Sequence, residues 1–415
     1  MGKKGVLILF STLFLTLALV PSCTPATTGE DGNNISETMA NQSIDVSDEP
    51  KTEEDIVDIS PPAEIPFPGY TPSENEMRII SSKELIKEIT LGWNLGNTFD
   101  SLRGETSWHN PLTTFTMIQT IADAGFDSVR LPVTWREYLG DAPDYVIDGE
   151  FLDRVEEVVG YILATGMYCI INTHHEGYEP YETKEDEISG KMTAIWSQLS
   201  ARFADYNEKL IFEGMNEPRW YGTPHEWDGG TKEAHDTVNR LNAVFIDAVR
   251  ATGGNNENRH LMIPTYAASA EASAVMAISK AFSDITRGDN KVIVSIHAYT
   301  PTNFALDPRG GKTWLSERHE EEISWMFGRL NEHLVKNDIP VIMGECGAVN
   351  KDNSEDRIEW AKCYFKKARD LGIPAFWWDN GIFTARNEDS ELFGFFDRER
   401  ATFVFPEILE AMMNN

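Results

Sequence analysis

Eight short apolar runs, spread over residues 76–415 and mostly separated by stretches of helical spacing, predict a single (β/α)8 TIM barrel. Two further observations point the same way. Polar and aromatic residues follow the runs at their C-terminal ends, where such barrels carry function. No Gly-rich phosphate loop accompanies any run, which argues against a doubly wound sheet.

The chain in order supports this division. Residues 1–23 read as a secretory signal, with Lys3 and Lys4 ahead of a 15-residue apolar run at 6–20. Such a run is short for a membrane span and suits a signal core. It ends Leu19-Val20-Pro21-Ser22-Cys23, which resembles a bacterial lipoprotein signal, with Pro21 an unusual residue there. That likeness implies lipidation at Cys23, an extracytoplasmic location and membrane contact only through the anchor. Residues 24–75 are dense in Thr, Ser, Asn, Asp, Glu and Pro, and nearly free of aromatics before Phe67. Too little apolar surface is present to order them, so they are expected to be a disordered linker.

Strands are expected at 91–95, 128–132, 167–173, 209–213, 260–264, 291–296, 339–343 and 374–378. Helices are expected at 113–124, 151–164, 234–252, 317–336 and 354–371. The stretch 151–164 is the clearest: Phe151, Leu152, Val155, Val158, Val159 and Ile162 form one apolar stripe.

The stretch Leu210-Ile-Phe-Glu-Gly-Met-Asn-Glu-Pro-Arg219 organises the rest. Its apolar run is bounded by Gly214 and Pro218, so it reads as a buried strand opening into a loop that carries Asn216 and Glu217. A second glutamate in the same setting ends Ile339-Pro-Val-Ile-Met-Gly-Glu345. Two carboxylates on the tips of two strands suit cleavage of a glycosidic bond. Other strand ends supply Asn94, Asn97, Arg130, His174, His175, His297, Tyr299, Trp377, Trp378 and Asp379. Taken singly, each has an ordinary use: an ion pair, a hydrogen bond, a place in the core. Their shared position at one end of the barrel is what counts.

Composition narrows the classes. A formal charge of −31, from 36 Lys+Arg against 67 Asp+Glu, argues against nucleic acid and anionic membrane surfaces. It is compatible with a neutral substrate. Four cysteines (Cys23, Cys169, Cys346, Cys363) have neither metal nor disulfide-framework spacing. Eleven Trp suffice for core packing with some left for sugar stacking, and Trp108, Trp220, Trp227 and Trp314 fall in expected loops.

Eight motifs in order carry a family likeness: Gly92-Trp-Asn-Leu-Gly-Asn-Thr-Phe99, Trp108-His-Asn-Pro111, Val129-Arg-Leu-Pro-Val133, Asn172-Thr-His-His-Glu176, Phe212-Glu-Gly-Met-Asn-Glu-Pro-Arg219, His297-Ala-Tyr-Thr-Pro301, Gly344-Glu-Cys-Gly-Ala348 and Trp377-Trp-Asp-Asn-Gly381. From about residue 78 onward the chain resembles glycoside hydrolase family 5, particularly its bacterial endoglucanase branch with xyloglucanase relatives. The resemblance implies that Glu217 is the general acid/base and Glu345 the nucleophile of a retaining reaction. It implies a β-glucan polysaccharide substrate, contacted through Asn97, Arg130, His174, His175, Asn216, His297, Tyr299 and Trp378. Cys346 stands where the family often has an aromatic residue, and should point away from the sugar. No cofactor or metal is implied, and a monomer is expected. His109 and Glu176 receive no chemistry.

Retention calls for carboxyl groups about 5–5.5 Å apart. Glu345 must be ionised to attack, and Arg130 is the cation to hold it. Glu217 must start protonated, and the charge on Glu345 is expected to push its pKa up. Preference for xyloglucan, mixed-linkage glucan, xylan or mannan over cellulose-type glucans stays open. So do a metal-dependent hydrolase using His174, His175 and His297, and a glycan-binding protein on a decayed barrel.

Overall fold

The computed structural model describes residues 62–72 and 76–414, so the leader, Cys23 and the linker up to residue 61 lie outside the described residues. Eight parallel strands pair in chain order and close: β1 (Leu91–Leu95), β2 (Ser128–Leu131), β3 (Tyr168–Asn172), β4 (Leu210–Glu213), β5 (Leu261–Ser269), β6 (Val292–His297), β7 (Val341–Cys346) and β8 (Ala375–Asp379), with β8 bonded back to β1. Around them run α1 (Ser82–Leu85), α2 (Phe115–Asp123), α3 (Gly149–Ala164), α4 (Glu185–Arg202), α5 (Lys232–Arg250), α6 (Ala272–Thr286), α7 (Thr302–Ala305), α8 (Ser316–His333), α9 (Ser354–Asp370) and α10 (Pro406–Met413). A ribbon of β9 (Phe396–Asp397) and β10 (Thr402–Phe403) precedes α10.

The period-two alternation of strand side chains sorts the barrel into layers. Ile170, Ile211, Met262, Ile293, Ile342 and Phe376 fill its lower interior, and Leu85 and Ile89 close that end. Gly92 leaves the room for Phe376: a Cβ there would stand 2.1 Å from the ring. Two residues further along β3, β4 and β6 the same face carries Asn172, Glu213 and Ser295, all fully buried. The alternate residues, among them Cys169, Phe212, Ile263, Val294 and Trp377, pack into the larger core with the helices.

Helix starts follow capping chemistry. Thr114, Asp148 and Thr231 accept N–H groups of the first turns of α2, α3 and α5. Five helices were not expected from the sequence: the short α1, α7 and α10, and the long α4 and α6. Helix α4 opens on Glu185, Asp186 and Glu187, and buries Ile188, Met192, Ile195, Trp196 and Leu199 along a polar helix. Helix α6 buries little beyond Ala274, Val275, Ile278 and Ile285. Strand β5 also runs longer than its apolar core. Ala267 and Ala268 adopt φ of 53° and 48°, a bulge that shifts the register, and Ala267 N–H donates to Pro218 O at 2.9 Å. That bond ties β5 to the loop bearing Glu217.

The segment 62–72, which composition assigns to the linker, lies against the barrel. Phe67 packs on Phe115 and Tyr161, Tyr70 stacks on Tyr206, and Ile65 N–H donates to Thr116 Oγ1 at 2.8 Å. The few aromatics at the end of this stretch suffice to dock it. Among the described residues, no helix is long and apolar enough to cross a membrane, and Cys169, Cys346 and Cys363 are free.

Candidate active site

Arg130 sits at the tip of β2, wholly buried, and every bond it makes goes to a group at the mouth of the barrel. Nε donates to Glu213 Oε2 at 2.7 Å. Nη1 donates to Glu345 Oε1 at 2.7 Å and to Asn94 Oδ1 at 3.0 Å, and Nη2 to Asn216 Oδ1 at 2.7 Å. Burial alone would lower its pKa, but Glu213 and Glu345 outweigh that and raise it. Glu213 also accepts from Ser295 Oγ at 2.6 Å and Asn172 Nδ2 at 3.0 Å. The cation is thus locked from below before it reaches the nucleophile candidate.

Glu345 completes β7. Its Oε1 takes Arg130, and its Oε2 accepts from Tyr299 Oη at 2.9 Å. Burial, then Glu345 and Glu217, push the Tyr299 hydroxyl well above its usual range, so it remains a donor. Glu217 projects from the loop after β4, with its side chain 16% exposed. His297 Nδ1 lies 2.8 Å from Glu217 Oε1 and 3.6 Å from Glu345 Oε1. One oxygen of each carboxylate falls within 4.8 Å of the other. That is near the retaining separation and short of the roughly 6.5–9.5 Å of inverting sites.

Burial pushes the Glu217 carboxyl up, but the hydrogen bond and charge of His297, with Arg219 and Arg130, hold it below its usual range. The expected upward shift is therefore corrected: the Glu217 carboxyl lies below its usual range. Sequence reasoning weighed one neighbouring anion and could not see His297, Arg219 and Arg130 around the same carboxyl.

His174 Nδ1 lies 3.1 Å from Asn172 Nδ2, and its ring runs parallel to Trp378 at 6.1 Å. Burial first, then His175, Arg130, His297 and Arg219, hold His174 well below the usual histidine range. Burial takes His175 down to about 4, with Glu217 opposing. Both rings are neutral near pH 7. Among the described residues, His174 and His175 approach Asp100 within ligand spacing, whereas His297 groups with the two glutamates. The three histidines do not converge on one point. Gly96 sets the Trp378 indole, since a Cβ there would meet it at 2.8 Å.

Two cavities meet at Glu217, Trp227 and Tyr299. One, of about 500 Å³, is lined by Asn97, Trp108, His174, His175, Asn216, Glu345 and Trp378. The other, of about 570 Å³, has Glu217 and His297 but not Glu345, and extends to Trp325. Nine of the ten sequence-predicted site residues line these cavities, and the tenth, Arg130, lies just beneath them. Of the four loop tryptophans, Trp108 and Trp227 border the cavities. Trp220 stacks on Tyr181, and Trp314 packs on Phe304 and His319.

Residues 94–384 match the family model described as cellulase, glycosyl hydrolase family 5. The chain belongs to glycosyl hydrolase family 5. It is a glycoside hydrolase of the endoglucanase type. This family 5 chain is 44% identical over 357 residues to endoglucanase A of Ruminococcus albus, covering 82% of this chain and 94% of that one. Among solved structures, it resembles a broad-specificity endoglucanase of Ruminococcus champanellensis with bound cellotriose (TM-score 0.77, 40% identity, 82% and 100% coverage). It also resembles a xyloglucan-specific endo-β-1,4-glucanase from a metagenomic library, in complex with cellotriose (TM-score 0.76, 38% identity, 80% and 98% coverage).

The family 5 site contains residues to which sequence reasoning gave no role. Glu213, Asn172, Asn94 and Ser295 form the layer that holds Arg130, and Arg219 touches Glu217. All but Ser295 stand inside the quoted motifs, and Ser295 lies two along β6 from the core residue Ile293, which was the available signal. Cys346, the departure from family usage, is fully buried with Sγ 3.5 Å from Phe376 O, turned into the core away from the cavity. Glu176, given no chemistry, accepts the Trp135 N–H at 2.6 Å and pairs with Lys191.

Proposed function

We propose that the protein is an endo-β-1,4-glucanase acting on cellulose-type β-glucans by double displacement, with Glu345 as nucleophile and Glu217 as acid/base. The observation that carries this reading is the pair of carboxylates within 4.8 Å, one held by Arg130 and Tyr299 and the other by His297.

In the first step, the Glu345 carboxylate attacks the anomeric carbon while the bond to the leaving oxygen breaks. Glu217 gives its proton to that oxygen. Filling the cleft removes water around Glu217 and favours its protonated form. The glycosyl ester consumes the charge on Glu345, so Glu217 becomes the stronger acid and is left as a carboxylate. It then takes a proton from water, the water oxygen attacks the same carbon, and the ester bond breaks to release Glu345. Because Asn216 Oδ1 is occupied by Arg130, a donor only, the Asn216 amide N–H₂ is free to meet a sugar hydroxyl. Neutral His174 and His175 add hydrogen bonds without charge, Asn97 borders the same cavity, and Trp378 offers an apolar face to the sugar's C–H surface.

Glu345→Gln and Glu217→Gln are each expected to lower turnover on β-glucan by at least about 1,000-fold with the fold kept. Azide is expected to restore part of the activity of Glu345→Gly. Near-normal turnover in Glu345→Gln removes the mechanism. Relatives described as xyloglucan-specific and broad-specificity favour a second reading, in which branched or mixed-linkage glucans are taken as well. Reducing-sugar release across cellulose, xyloglucan, mixed-linkage glucan, xylan and mannan decides between them. We further propose export, lipidation at Cys23 and a monomeric enzyme. Loss of labelling by radioactive palmitate in Cys23→Ala is the check on the anchor, and sedimentation on the monomer.

A further inference from the structure

The mechanism so far gives Arg219 no part. Its Nη1 donates to Glu217 Oε2 at 3.3 Å and to the Glu217 backbone carbonyl at 3.0 Å. Its Nε donates to Glu226 Oε1 at 3.2 Å, and the other Glu226 oxygen accepts the Gly222 N–H at 2.7 Å. The guanidinium carbon stands 4.4 Å from the Tyr221 ring centroid and 4.1 Å from that of Trp227. A planar cation stacked by two aromatic faces and tethered at one edge has a fixed direction, which an ammonium would lack. Trp227 is 58% exposed and borders both cavities, so the sandwich stands beside the point where the bond to be cleaved would lie.

We infer that Arg219 is a positioning residue for the acid/base: held by Tyr221, Trp227 and Glu226, it fixes the second carboxylate oxygen of Glu217 and leaves the first to His297. The inference rests on the acid/base role proposed for Glu217.

A pH profile reads it out. The groups that bear on Glu217 are Arg130 from β2, His175 after β3, His297 and Tyr299 of β6 and its loop, Glu345 of β7, and Glu391 after β8. Arg219 adds a cation from Glu217's own loop. Removing that cation disfavours the carboxylate, so the acid holds its proton to higher pH. The basic limb of kcat/KM reports that proton. Arg219→Met is expected to move this limb up by about one pH unit. Arg219→Lys retains the charge and is expected to keep most of the limb's position while lowering kcat, because the stacking is lost. Should Arg219→Met fail to fold, Arg219→Gln removes the same charge with a polar side chain and is expected to move the same limb upward by a similar amount.

Overlaid profiles for the parent and Arg219→Met, or for the parent and Arg219→Gln where Met is unfolded, overturn the inference. Glu217→Gln measured alongside separates two failures. If Glu217→Gln keeps its turnover, the acid/base reading itself is wrong. If it is inactive while the Arg219→Met profile overlays the parent, only the role of Arg219 falls.

Discussion

Arg130 and Arg259 are both fully buried, at opposite ends of the barrel, and they are satisfied by different chemistry. Arg259, just before β5, spends all five N–H groups on neutral oxygens: the carbonyls of Phe203, Tyr206, Asn207 and Leu210, and Asn256 Oδ1. Burial, with Arg250 nearby, brings its pKa down to about 9. Arg130 spends its bonds on two carboxylates and two amides, and its pKa is raised. The first arginine staples the α4–β4 connection to the start of β5. The second holds negative charge in a fixed place where one edge of that charge faces a cavity. A buried cation bonded to carbonyls organises backbone. One bonded to carboxylates organises reactivity.

Replacing each arginine tests that contrast. Arg130→Met strips the partner from Glu213 and Glu345 together. It is expected to lower turnover by at least about 1,000-fold and stability by about 3–5 kcal/mol. Arg259→Met removes all five of these buried hydrogen bonds and is expected to cost about 3 kcal/mol or more. Turnover per folded molecule should stay within about twofold of the parent, since no contact of Arg259 reaches the mouth. Denaturant melts together with active-site titration measure both quantities. A fall in turnover for Arg259→Met matching that of Arg130→Met would erase the distinction between the two ends.

Tyr299→Phe sharpens the comparison within the mouth itself. It removes a single donor, 2.9 Å from Glu345 Oε2, and leaves Arg130 in place. The expected loss in kcat is about 10–100-fold, less than for a buried cation with two carboxylate partners. The melting temperature should move by only a few degrees. A loss as large as that of Arg130→Met would mean that the tyrosine, not the arginine, is the main support of the nucleophile.

What could be read from sequence follows from which interactions are local. The strand runs, the Glu217 and Glu345 tips and the ring of polar residues were visible because strand alternation and strand-end position are written in consecutive residues. Glu213 was visible as a break in an apolar run, but its role depends on Arg130 and Ser295, 83 and 82 residues away. Helix α6 was hidden by small residues that pack without an evident stripe. The docking of 62–72 was hidden because Phe67 and Tyr70 find partners only once α2, α3 and the loop after α4 are assembled. The direction of the Glu217 shift failed for the same reason. It is a sum over His297, Arg219 and Arg130, and two of these three come from other strands.

The smallest expected effect is the contribution of His175 to stability. Its ring contacts Trp108 and His174, and burial lowers its pKa from 6.5 to about 4. The unfolded chain therefore takes up a proton near pH 6.5 that the folded chain refuses until about pH 4. Between those values the unfolded state binds more protons, so stability rises with pH across the window. The contribution of the neutral ring is fully present above pH 6.5 and is lost as the pH falls to about 4. In His175→Gln that term vanishes, so the melting temperature of the parent should fall more steeply than that of the variant from pH 7 to pH 4. His174 is shifted in the same direction, in part by His175 itself, so its relief in the variant adds to the flattening of the slope. Parallel slopes across this range would mean that the mouth of the barrel admits a charged His175, and that water reaches further down beside Trp108 than the packing there allows.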